Sequence, residues 1–95
     1  MADPFGDAVQ ALQKAAQELA DARKEDDAAR KSFDSIWKTF WKLKEGDPAA
    51  AELKANLLDA QKRRDKARKD LRDAEKKFAK ALSEFIRQVS LLAFR

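Results

Sequence analysis

The sequence predicts an all-α protein, an antiparallel two-helix hairpin forming one domain over residues 1–95. Three observations carry that expectation. Charged residues make up 40% of the chain, with two glycines, two prolines and no tyrosine, a composition of long helices rather than sheet. One stretch, "KEGDPAA" at 44–50, interrupts an otherwise continuous helical pattern. On both sides of it, bulky apolar residues recur at heptad spacing with alanine at the alternate core position.

The first helix is expected over about 5–44, opening on Asp3 and Pro4. Its heptad a positions are Phe5, Leu12, Leu19, Asp26, Phe33 and Phe40, and its d positions are Ala8, Ala15, Ala22, Ala29, Ile36 and Leu43. The turn falls at 45–47. Gly46 suits a left-handed residue, Asp47 an N-cap and Pro48 a first helical position. The second helix is expected over about 48–92. Its a positions are Ala50, Leu57, Arg64, Leu71, Phe78, Phe85 and Leu92; its d positions are Leu53, Ala60, Ala67, Ala74, Ala81 and Gln88.

Folding at Gly46–Asp47 sets every a against a d. The layers read Leu12·Ala81, Ala15·Phe78, Leu19·Ala74, Ala22·Leu71, Phe33·Ala60, Ile36·Leu57 and Phe40·Leu53. Large meets small in most of them, so the helices can approach closely and still fill space. Asp26 and Arg64 are polar at a positions in adjacent layers, placed for a diagonal ion pair that fixes register.

A hairpin buries one stripe per helix, so leftover apolar residues carry information. Near the C-terminus, Leu82, Ile86 and Val89 form a second seam at 3–4 spacing, with Val9 beside it on the first helix. Phe85 and Leu92 are expected to face inward, and Leu91 and Phe94 fall outside both seams. At the turn end, Trp37, Trp41 and Leu58 lie on the same side, with Lys54 across from Trp37 in cation–π reach. The two tryptophans also suit a cap over the hairpin tip. Between the patches the side is charged, with Arg23, Asp27, Arg30 and Asp34 on the first helix and Asp65, Arg68 and Arg72 on the second. Exposed apolar area of this kind marks a contact with another molecule. Val9, Trp37, Trp41, Leu58, Leu82, Ile86, Val89 and Phe94 are therefore the candidate assembly or partner-binding residues.

Catalysis is not expected. The chain has no His and no Cys, no Gly-rich phosphate loop, and no acid pair in a foreseeable pocket. Neither a metal site nor a cofactor is expected. The net charge of +4 concentrates in "KRRDKARKDLRDAEKKFAK" at 62–80. There Lys62, Lys69 and Lys76 share the outer face, with Lys66 and Arg72 flanking, as candidate phosphate-binding residues for nucleic acid. Asp59, Asp65 and Asp73 interrupt the stripe and no aromatic residue interleaves with it. No apolar run approaches the ~18 residues of a membrane span. The opening "MADPFGDAV" lacks the basic and apolar regions of a cleavable signal. The expected location is cytoplasmic, or outside the cell by export without a cleavable signal peptide.

At "GDPAAAELKANLLDAQ" and the tail "FIRQVSLLAFR", the C-terminal half resembles the needle subunits of type III secretion systems. Those are small helical hairpins whose apolar C-terminal helices line the lumen of a filament. The resemblance implies that Asp47–Pro48 matches the turn and residues 78–95 the assembly segment.

The expected role is thus a structural, self-assembling interaction protein and homo-oligomer. An adaptor or chaperone hairpin that receives another protein's helix would use the same seam. Nucleic-acid binding through 62–80 is the third reading.

Overall fold

A computed structural model describes residues 3–94. Among them the secondary structure is two helices, α1 (Pro4–Trp41) and α2 (Ala50–Ala93), with no strand. Asp3 is extended ahead of Pro4, and its carbonyl accepts the Asp7 N–H at 2.8 Å. It fills the N-cap position without a side-chain cap bond.

The turn is built from the residues expected, with shifted boundaries. α1 stops at Trp41 rather than 44, because the N–H groups of Lys42 and Leu43 bond to Thr39 and Phe40 at 3.2 and 3.1 Å. Such i→i−3 bonds tighten the last turn and unwind the helix. Gly46 carries φ +82°, so the left-handed residue sits inside the turn and not at the helix end itself. The Asp47 carboxylate accepts the Ala49 N–H at 2.9 Å, and its carbonyl accepts the Ala50 N–H at 3.0 Å. The expected N-cap at Asp47 and helix start at Pro48 are not found: the N-cap position falls to Ala49, with no side-chain cap bond, and Pro48 lies in the turn ahead of regular helix from Ala50.

Every a and d residue from Phe5 to Leu43 and from Ala50 to Gln88 is buried or half-buried. Phe5 meets Phe85 with ring centroids 5.9 Å apart, a diagonal contact between the adjacent Phe5·Gln88 and Ala8·Phe85 layers that agrees with the register. The most deeply buried positions are largely alanines, Ala8, Ala15, Ala29, Ala60, Ala67 and Ala74, together with Leu19. No large side chain is fully enclosed among the described residues. The interface is thin.

Leu92 does not face inward. It is 48% exposed, and register places its layer beyond the start of α1 at Pro4. The diagonal Asp26–Arg64 pair does not form either. Arg64 lies over the Phe33 ring at 4.1 Å and its Nε is 3.8 Å from Asp65. Asp26 pairs along its own helix with Arg30 at 3.5 Å. It is 7% exposed, and its Oδ1 has no hydrogen-bond partner.

The molecule is a rod of 74 × 21 × 13 Å. Its radius of gyration is 21.0 Å, against about 12 Å for a compact domain of this length. Its accessible surface of 7566 Å² exceeds by roughly 2,000 Å² what a compact monomer of this size exposes.

A buried, half-satisfied carboxylate in an alanine-lined layer opposes folding. Asp26→Leu recreates the Leu19·Ala74 arrangement one heptad along, and should stabilise the hairpin by about 1–3 kcal/mol. The expected rise in melting temperature is about 4–8 °C per kcal/mol. Thermal unfolding at low concentration checks this, and a fall in melting temperature would assign Asp26 a favourable role in the fold.

Candidate functional site

The two long edges of the hairpin interface differ. One edge is closed by ion pairs between the helices. Arg63 donates to both Glu25 oxygens, at 2.8 and 3.3 Å, and Lys77 lies 3.9 Å from Glu18. The hydrogen bond from Arg63 holds the Glu25 carboxyl below its ordinary range, and the same bond raises Arg63.

Across the opposite edge, no ion pair joins α1 to α2 among the described residues. Heptad register makes edge partners there of Val9·Leu82, Ala16·Glu75, Arg23·Arg68, Arg30·Gln61 and Trp37·Lys54. This is the open side.

Its terminal end carries the second seam. Leu82, Ile86 and Val89 are all exposed, Ile86 the most at 54%, and Val9 is half-buried beside them. Leu91, Leu92 and Phe94 extend the apolar surface around the end of the rod, with Phe94 90% exposed. Close by on α2, Arg87 and Gln88 both donate to Glu84, keeping its carboxyl below the usual range.

The turn end carries a pre-arranged aromatic array. Phe33 stacks on Trp37 at 6.3 Å, Trp37 on Phe40 at 6.2 Å, and Trp41 meets Trp37 edge-on at 5.5 Å. The Arg64 guanidinium closes the far end of this series over Phe33. The cation–π contact thus falls at Arg64, and Lys54 makes none with Trp37 among the described residues. Trp41 remains 70% exposed and Leu58 is exposed on α2. Rigid aromatic side chains of this kind lose little conformational freedom on binding and serve as anchors in interfaces. An open cavity of about 420 Å³ lies between Trp37, Phe40, Trp41 and the turn at Gly46.

Seven of the eight candidate assembly residues are therefore exposed, and Val9 is partly so. They form two groups near opposite ends of the rod. The candidate phosphate-binding residues Lys62, Lys66, Lys69, Arg72 and Lys76 are all exposed, and none is in an ion pair among the described residues. Lys62, Lys69 and Lys76 repeat about every 10 Å along the outer face of α2, whereas Arg72 turns toward the open side. In the sequence, Arg23 and Arg68 count only as parts of a charged middle. Folding makes them edge partners, a relation readable from the same heptads once edges are paired like core layers.

No group of three or more His, Cys, Asp or Glu is placed to hold a metal among the described residues, and no described helix is long and apolar enough to cross a membrane. Comparison with family models, curated proteins and solved structures gives no match to this chain.

The Glu25–Arg63 bond makes a pH-dependent contribution of definite sign. A carboxylate whose folded pKa is depressed stabilises the fold above its unfolded value, and that contribution fades as pH falls through the folded value. Wild type should therefore lose stability more steeply than Glu25→Gln as pH falls from about 5 to 3. Parallel chemical denaturation series across that range check the difference in slope. An NMR titration of Glu25 should have its midpoint below the ordinary 4.5.

Proposed function

We propose that the protein is a non-catalytic structural element that self-assembles laterally, side against side, through the open side of the hairpin and its C-terminal helix. The exposed seam of Leu82, Ile86 and Val89, on the edge that no ion pair closes, carries this reading. The available area supports it. A stable interface removes about 1,200–2,000 Å² in total from water, and the rod exposes an excess of that order. The cost of ordering is also low, since the seam and the aromatic array both sit on rigid helix.

A finer form of the proposal is a secretion-type filament subunit, exported without a cleavable signal peptide. It rests on the resemblance at Asp47–Pro48 and residues 78–95. The terminal apolar surface of Leu91, Leu92 and Phe94 supports further neighbours beyond one lateral partner, because a segment apolar on several faces needs cover on each.

Light scattering behind size exclusion, across concentration, tests the proposal on wild type and on Leu82→Ser/Ile86→Ser/Val89→Ser. These three residues lie outside the a–d stripe, so the variant keeps its hairpin by circular dichroism. Wild type is expected to form oligomers at tens of micromolar, an order typical of modest interfaces, and the variant to remain a monomer. If both are folded monomers, lateral self-assembly is wrong, and the seam is a groove for another protein's helix. Lys62→Glu/Lys69→Glu/Lys76→Glu is expected to leave assembly intact, since that stripe points away from the seam.

A further inference from the structure

We propose that Arg23, Arg68 and Arg72 form a binding site for a small multivalent phosphoryl anion at the middle of the open side. The first observation is a like-charge pairing that no ion pair relieves. Arg23 and Arg68 are edge partners by heptad register; on the opposite edge the same register sets Glu18 against Lys77 and Glu25 against Asp70, and there Arg63 brings opposite charge to Glu25. Like charges at such positions oppose each other unless something of opposite sign lies between them. Arg72 follows Arg68 by one helical turn on the same face and adds a third guanidinium.

The second observation concerns the acids in reach. Asp27, one turn from Arg23, is held by Lys31 at 2.9 Å and by Arg30 at 4.0 Å. Asp26 is held by Arg30, and Asp65, three residues before Arg68, lies against Arg64 at 3.8 Å. Glu75 and Asp73 are near Arg72 in sequence, and neither makes an ion pair with it. Arg23, Arg68 and Arg72 are exposed and have no ion-pair partner among the described residues. Three positive charges share the middle of the open side; the acids one turn from Arg23 and Arg68 are held by other cations, while Glu75 and Asp73, near Arg72, make no ion pair among the described residues.

The third observation is the choice of residue. The outer face of both helices uses lysine, at Lys24, Lys31, Lys38, Lys62, Lys69 and Lys76, whereas the cations in the middle of the open side are all arginine. A guanidinium binds phosphoryl oxygens through a planar two-pronged contact that an ammonium cannot make. Oxygens of one polyphosphate can therefore bridge α1 and α2 and remove the repulsion between Arg23 and Arg68.

The site stands on a single hairpin. A further consequence rests on the assembly reading above: packing two open sides together brings two such trios to the same interface, so the anion should favour association. Binding linkage makes the effect reciprocal, at about tenfold in the self-association constant.

Isothermal titration with inorganic triphosphate tests the site on three chains at fixed ionic strength, with folding monitored by circular dichroism. These are wild type, Arg23→Gln/Arg68→Gln/Arg72→Gln, and Lys62→Gln/Lys69→Gln/Lys76→Gln. The arginine variant should bind at least about tenfold more weakly, and the lysine variant within about twofold of wild type. Arg68→Gln alone should lose part of the affinity, which keeps the test sound if the triple variant folds poorly. No binding to wild type, or equal losses in the two triple variants, would overturn the site. Light scattering with and without triphosphate separates this inference from the assembly reading. A monomer that binds triphosphate through the arginines retains the site and removes self-assembly, while an oligomer that binds none removes the site alone. Co-sedimentation with vesicles of phosphatidylserine and phosphatidylcholine distinguishes a lipid headgroup from a free anion. Arginine-dependent sedimentation would overturn the free anion as the ligand.

Discussion

The turn at Gly46–Asp47 is the constraint on which the rest of the molecule depends. Heptads alone permit two helices to slide by seven residues and still pair a with d. The eight residues between the helices are taken up in turns, with a left-handed glycine at 46 and the Asp47 carboxylate bonded to the Ala49 N–H, and so hold a single register. Register then follows for the full length of the rod. It sets most bulky residues against alanine, brings the backbones close, and puts Glu18 and Glu25 within reach of Lys77 and Arg63. One edge is thereby closed and the other left with apolar ends and arginines in its middle.

Much of this was legible in the sequence because the signals were periodic. The a and d residues, the left-handed Gly46 and the exposure of Leu82, Ile86, Val89, Trp37 and Trp41 all follow from spacing and turn chemistry; the N-cap does not, since it falls at Ala49 and not at Asp47. What escaped was local and depended on side-chain choice. Asp26 and Arg64 are close in register, yet the flat guanidinium finds the Phe33 ring and Asp26 finds Arg30. A heptad records that two charges share a stripe, but not which neighbour each will select. Leu92 escaped for a different reason: a pattern continues in sequence after the partner helix has run out. The end of α1 at Trp41 reflects i→i−3 bonding, which no residue between 41 and 45 announces.

The open side concentrates the candidate features because each is unsatisfied within the single hairpin. The seam has no third helix, the tryptophans are ordered by one another but not covered, and register sets Arg23 against Arg68. On the closed edge the chain has already met the corresponding needs internally. The difference between the two edges, more than any single motif, supports reading the protein as a component of something larger. The outer lysines contrast with both, being spread evenly along a solvated face as a helix surface requires.

The alanine-lined interface also governs how the hairpin responds to temperature. Heat-capacity change on unfolding scales with the apolar surface newly exposed to water. A rod that fully encloses no large side chain has little such surface to release, so its stability curve is shallow and its melting broad. In the proposed assembly, contacts that cover the seam would add the missing apolar burial, and stability would then depend on concentration as well as on sequence.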